Sequence, residues 1–236
     1  MFRKCISSRK YQLVRTLCTK TEASDQFSAA YLADKTYWKQ RYRKQEWSQE
    51  HFDWLADSDT TVEHVKSYLK TGSMILDLGC GTSSFAQKLC RNVNSPLAIY
   101  CLDFSQEALQ VVSELISDED KGNHTINFVH ADATKISLRA DMFDVILDKG
   151  TTDSVLKLDD REKAILMAGA ILKESLRLLS PLGTLIQITD EDPDSRILLI
   201  NELLKSQCDH TSVNVSPKLI CEGEIWEYFM YTVKKH

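Results

Sequence analysis

The chain has 236 residues, 43% of them hydrophobic, which suits one large single-core domain. Four prolines and eight glycines exclude collagen-like and low-complexity classes, and no unbroken apolar run approaches the roughly 18–20 residues of a membrane span. The net charge of −5 is unevenly spread: residues 1–20 hold six of the 29 basic side chains and none of the 34 acidic ones, leaving 23 against 34, a net −11, in the rest.

A remainder that acidic repels phosphate backbones, so neither DNA nor RNA is an expected partner. A protein surface presenting lysines, or a small molecule, suits it better, and no membrane insertion is expected. The leader itself, "MFRKCISSRKYQLVRTLCTK", sets Phe2, Ile6, Leu13, Val14 and Leu17 between basic positions. That composition is the one a mitochondrial presequence needs, a basic amphipathic helix; a secretory signal needs an unbroken apolar core. Residues 1–20 are therefore expected to target the mitochondrial matrix.

Next comes a helix-like stretch, "AAYLADKTYWKQRYRKQ", whose Tyr31, Lys35, Trp38 and Tyr42 share one face. From residue 73 onward, strand and helix patterns alternate. Strands are predicted at "MILDLG", "LAIYCLDF", "INFVHA", "MFDVILD", "GTLIQITD", "SVNVSP" and "IWEYFMYTV". Helices are predicted at "TSSFAQKLCRNV", "SQEALQVVSELI", "REKAILMAGAILKESLRLL", stopped by Pro181 and Gly183, and "PDSRILLINELL", opened by Pro193. The alternation implies an α/β fold, a mostly parallel sheet with helices on both faces. The last two strands have no helix between them, which predicts an antiparallel hairpin at the carboxyl end.

Within "MILDLGCGTSSFAQKL", Gly79 and Gly81 permit a tight turn and a close ligand approach, and the helix that follows points free N–H groups at that ligand. A dinucleotide and S-adenosylmethionine (AdoMet) both fit such a turn. Asp103 ends the second strand at the spacing of an acid that bonds ribose hydroxyls, which suits both. Three features favour AdoMet. Ser84 stands where the dinucleotide fingerprint wants glycine, Asp77 is suited to a ligand ammonium, and Asp132 offers a polar end to an adenine amino group. The seven cysteines form no CxxC pair and are expected to be reduced and mostly buried. The six histidines have no ligand spacing, so no metal site is expected.

"LDLGCGTS" resembles the first motif of the Rossmann-like, seven-stranded class I methyltransferases, and "CLDFS" and "HADAT" are similar to the next two. By that resemblance Asp77, Gly79 and Gly81 border the methionine part of AdoMet, and Asp103 holds the ribose. Phe104 lies against the adenine, and Asp132 and Ala133 meet its edge. "FDVILDKGTTDSV" is similar to the "DKGT-D" segment of a protein-lysine methyltransferase group that includes the elongation-factor lysine methyltransferases. The "YW..RY" of Tyr37, Trp38, Arg41 and Tyr42, followed by "FDWL", resembles the same group. There Trp38, Tyr42 and Phe52 close over AdoMet, and Lys149 lines its site. The run "FDWL", "LDLGCGTSS", "FVHADA", "LDKGTTD" and "GTLIQITDEDPDSR" resembles, in order, the mitochondrial citrate synthase lysine methyltransferases. The resemblance implies a targeting segment over 1–20, a helical cap of the active site over 21–72, a methyltransferase domain over 73–236, and citrate synthase as the protein substrate.

Methyl transfer to lysine needs a neutral amine, and a free lysine titrates near 10.4, so a proton must leave. Asp148, ending the fourth strand, is the carboxylate expected to face that amine and take its proton; it could equally cap the loop or position Lys149. Asp190, Glu191, Asp192 and Asp194 either cap a helix or attract the positive surface around a target lysine. The "NPPY" or "DPPY" segment of nucleobase and glutamine methyltransferases is absent. Other readings are a different protein or small-molecule substrate, a non-catalytic binding module on the same fold, or a nicotinamide oxidoreductase.

Overall fold

The computed structural model describes residues 29–43, 52–207, 213–222 and 227–235. The basic leader, residues 1–20, lies outside the described residues. Seven strands, β1 (Met74–Leu78), β2 (Ala98–Asp103), β3 (Thr125–His130), β4 (Phe143–Lys149), β5 (Leu179–Thr189), β6 (Val213–Glu222) and β7 (Glu227–Lys235), form one sheet in the order β3-β2-β1-β4-β5-β7-β6. The first five run parallel, and β7 is antiparallel to both β5 and β6, which is the expected carboxyl-terminal pair.

Helices α1 (Lys35–Arg43), α2 (Ser58–Val65), α3 (Phe85–Asn92), α4 (Gln106–Leu115), α5 (Asp118–Lys121), α6 (Thr151–Val155), α7 (Arg161–Leu178) and α8 (Pro193–Gln207) surround the sheet. The central strands read as apolar runs because both faces are covered. On one face Ile75, Val145, Leu147 and Ile188 pack with Val65 of α2, Phe85 and Leu89 of α3 and Val112 of α4. On the other, Leu76, Ile146 and Leu185 pack with Ile171 and Leu172 of α7 and Leu203 of α8. Each buried aliphatic side chain contributes roughly 1.5–3 kcal/mol, so these two layers dominate the fold's stability.

Three local outcomes differ from the pattern reading. The helix-like stretch over 29–45 divides at Asp34: Ala29–Ala33 is a 3-10 turn, and Asp34 caps α1 by accepting the Thr36 N–H at 2.7 Å. Helix α7 already ends at Leu178, and β5 begins at once. Leu179 pairs with Phe143, the chain then bulges, and pairing resumes at Thr184 opposite Val145, which leaves Leu182 on the surface. The acid run Asp118–Asp120 forms the short α5, closed by a capping box with Ser117. The order reverses between β1 and its neighbours β2 and β4, which opens a crevice at the strands' carboxyl ends.

Candidate active site

The turn after β1 is built for close approach. Gly79 and Gly81 have φ of 72° and 53°, in the left-handed region, and the N–H groups of Gly79 and Cys80 both donate to the Leu102 carbonyl, at 2.7 and 2.9 Å. A Cβ on Gly79 would lie 1.9 Å from Thr151 Oγ1, whose hydroxyl donates to the Leu78 carbonyl at 2.7 Å. The glycine turn and the "DKGTTD" turn are thus interlocked, with a threonine hydroxyl where any side chain would go. Gly150, at φ 89°, lets the second turn pass under the Trp54 ring.

The structure brings Trp38, Tyr42, Phe52, Asp77, Gly79, Gly81, Asp103, Phe104, Asp132, Ala133 and Lys149 onto the wall of one cavity. The empty space along it, counted out to its open mouth and including solvent there, is about 980 Å³. The amino-terminal segment roofs it with aromatic rings: Trp38 stacks on Tyr42 at 5.8 Å between centroids and meets Trp54 at 5.8 Å and Phe52 at 6.5 Å. Trp38 is buried and donates its ring N–H to the Leu32 carbonyl at 2.7 Å.

Two buried carboxylates define the chemistry of the floor. Asp77 is 5% exposed, and no hydrogen-bond donor among the described residues reaches it. Burial pushes its pKa up to about 7, against the pull of the nearby Lys149 charge. A carboxylate left this way, facing a cavity, calls for a donor carried by a ligand. Asp103 accepts the Gly81 and Ser105 N–H groups at 2.9 and 2.8 Å, and burial still raises it to about 6. Its remaining lone pairs can accept ligand hydroxyls. Tyr42, above Gly81, is pushed well above its usual pKa by burial and then by Asp103.

At the far end, Asp132 accepts the N–H and hydroxyl of Thr134 and pairs with Lys35, whose ammonium also sits 5.4 Å over the Phe104 ring. Burial of Asp132 acts upward, but these hydrogen bonds and the Lys35 charge hold its pKa below the usual value. The oxygen expected to meet an adenine amino group is therefore shared with a lysine.

Asp148 sits elsewhere. It is 1% exposed, is absent from the cavity wall, and accepts the Thr152 N–H at 3.1 Å, the Thr152 hydroxyl and the Gln187 amide at 3.0 Å. Gln187 in turn accepts from Arg196, which is 1% exposed and pairs with Asp153 at 3.2 Å. Neighbours on a strand face opposite sides of the sheet, so Lys149 at the cavity sends Asp148 the other way. From there it caps the first turn of α6 and does not line the cavity. Asp192 likewise uses both oxygens on Ser195 at the start of α8.

Pattern reading missed Asp53, the centre of the amino-terminal segment. Its Oδ1 accepts from Lys149 Nζ at 3.0 Å and Ser83 Oγ at 2.5 Å; its Oδ2 accepts the Ser58 N–H at 2.9 Å and hydroxyl at 2.6 Å. Burial acts upward on it, but the Lys149 charge and these hydrogen bonds keep its pKa low. The only signal was its place inside "FDWL", between two aromatic residues that drew the attention. Thr151 was equally silent, since its role depends on a glycine in another turn.

Comparison with known proteins bears on the family and the fold. The chain is 31% identical over 167 residues to the mitochondrial citrate synthase-lysine N-methyltransferase of Danio rerio, and 32% identical over 161 residues to that of Homo sapiens. The matches cover 67% and 62% of this chain, and 63% and 65% of those relatives' own length. In fold it is similar to the N-methyltransferase NodS of Bradyrhizobium japonicum, with a TM-score of 0.53 at 15% identity over 86% of this chain and 94% of that one. Residues 69–234 match the family model described as a methyltransferase domain, and these residues carry the glycine turn and the strand-end acids; the chain belongs to the methyltransferase-domain family.

Proposed function

We propose that the chain is an AdoMet-dependent protein-lysine N-methyltransferase that modifies a lysine of citrate synthase in the mitochondrial matrix. The observation that carries the cofactor is Asp77, a buried carboxylate with no donor among the described residues, beside a turn that admits no Cβ. AdoMet brings an ammonium for Asp77, ribose hydroxyls for Asp103 and a flat base for Phe104. Lysine as acceptor, and citrate synthase as substrate, are supported by the names of the zebrafish and human relatives. The matrix is supported by the basic leader over residues 1–20.

When bound, AdoMet supplies a methyl group on a sulfonium. The chain's own residues hold and orient it. Asp77 must be ionised to accept an ammonium, so cofactor affinity should rise with pH up to about 7. Trp38, Tyr42, Phe52 and Trp54 exclude water over the cavity and present ring faces to cations, each worth roughly 0.5–2 kcal/mol. Thr151 fixes the turn that carries Lys149 against the glycine turn. Asp148 acts at one remove, holding the first turn of α6 through Thr152. Asp190, Glu191 and Asp194, past the carboxyl end of β5, supply negative charge that suits a lysine-bearing surface.

The test is incubation with methyl-labelled AdoMet and unmethylated citrate synthase, alone and within a mitochondrial lysate, read by mass spectrometry. Label on one citrate synthase lysine is the expected result. Label on another protein keeps the chemistry and discards the substrate; no protein label despite measurable AdoMet binding overturns the lysine reading.

A further inference from the structure

Helix α6 has five residues, and four of its side chains, in succession, reach four different parts of the chain. Thr151 donates to the Leu78 carbonyl at 2.7 Å, and Thr152 donates to Asp148 of β4. Asp153, 6% exposed, accepts the Thr189 hydroxyl at the end of β5 at 2.5 Å and pairs with Arg196 of α8 at 3.2 Å. These three contacts join α6 to the glycine turn, to the sheet and to α8, so this short helix is held from three sides. Ser154, on the cavity wall, does something else. It reaches 122 positions back along the chain and donates to the Leu32 carbonyl at 2.5 Å.

The same carbonyl accepts the Trp38 ring N–H at 2.7 Å. A carbonyl oxygen has two lone pairs; here one receives a donor from the roof itself and the other a donor from the cavity wall. Trp38 is the ring on which Tyr42, Phe52 and Trp54 meet. Its place is therefore set, through Leu32, by a hydroxyl on a helix outside the roof. Two ion pairs also tie this segment to the body, Lys35–Asp132 and Arg43–Glu107. Their basic side chains are 49% and 66% exposed, so solvent screens them. The Ser154 contact is partly buried, where a hydrogen bond keeps more of its strength.

We propose that Ser154 is the positioning residue that latches the amino-terminal roof over the cavity, acting through the Leu32 carbonyl on Trp38. On the reading that the cavity takes AdoMet, this latch sets how long the cofactor stays bound. One neutral hydrogen bond suits the task, because it favours the closed roof and still breaks when the cofactor leaves.

Ser154→Ala removes the donor and leaves the three anchors of α6 in place; Ser154→Thr keeps the hydroxyl. In the ligand-free full chain, acrylamide should quench tryptophan fluorescence more strongly in Ser154→Ala than in wild type, with Ser154→Thr matching wild type. With AdoMet, stopped-flow fluorescence should show dissociation about 3- to 10-fold faster in Ser154→Ala, the range of one neutral hydrogen bond, and the wild-type rate in Ser154→Thr. In a Trp38→Phe background the same Ser154→Ala change should have a smaller effect, because both side chains act through one carbonyl. Quenching and dissociation unchanged in Ser154→Ala, a Ser154→Thr variant that behaves like Ser154→Ala, or effects that simply add in the Trp38→Phe background overturn the proposal. A wild-type chain that binds no AdoMet removes the cofactor reading alone, and the quenching comparison still decides the latch.

Discussion

The cavity has a lysine–carboxylate pair at each end, and in both the amino-terminal segment meets the sheet. At the glycine turn, Lys149 of β4 meets Asp53 with side chains 7% and 15% exposed; at the opposite end, Lys35 of α1 meets Asp132 with 49% and 41%. The chemistry is the same and the surroundings are not. A pair in water gains little because solvent screens it, whereas removing one partner of a buried pair leaves an uncompensated charge. The roof should therefore be fastened at Asp53 and loose at Lys35. The cavity would then be rigid at the glycine turn and yielding at the Asp132 end.

The largest effect should come from Asp53→Ala, which strands a buried ammonium and frees two serine hydroxyls. A loss of roughly 3–5 kcal/mol is expected, or on the order of 10 °C in Tm, measured by calorimetry of the ligand-free chain. Asp53 has a lowered folded pKa, so its contribution is present above the unfolded value near 3.9 and fades as pH falls through the folded one. Pairing Asp53→Asn with Lys149→Met should recover much of that loss, because replacing both charged groups by neutral ones leaves no charge to bury. Additive losses in that double variant would show that the two ends do not differ as described.

Asp77 sharpens the comparison from the opposite sign. Its folded pKa is raised, to about 7, so its stability contribution is full below the unfolded value and is lost as pH rises through 7. Asp77→Asn should thus stabilise the ligand-free chain at pH 8 by roughly 1–3 kcal/mol, with the advantage shrinking towards pH 4. It should also abolish AdoMet binding. Asp103, raised to about 6, stays in both proteins, so the difference isolates Asp77 among Lys149, Asp53, Asp103 and Asp148 around it. A Tm difference independent of pH would refute this.

The smallest effect belongs to Lys35→Ala. About 0–1 kcal/mol of stability should be lost, and cofactor release should quicken modestly at low salt and not at high salt, as stopped-flow fluorescence of the tryptophans can follow. A loss matching that of Asp53→Ala would erase the distinction between the two ends.

The sequence alone determined the parallel sheet, the glycine turn and the acids at the ends of β1, β2 and β3. Each depends on short-range rules: apolar runs of strand length, backbone freedom at Gly79 and Gly81, and helix stops and starts within a few residues. It also determined the unmatched negative charge of the body, which is a matter of composition. Tertiary structure alone decided what those elements hold between them. Asp53 finds Ser83 and Lys149 at 30 and 96 positions away, and Thr151 meets Leu78 at 73. No local pattern encodes such distances. The same holds for Asp148 and Lys149, adjacent in sequence, one expected at the site as a strand-end carboxylate and the other by likeness. Only the register of β4 between β1 and β5 chose which of the two faces the cavity, because a pleated strand cannot turn consecutive side chains to one side.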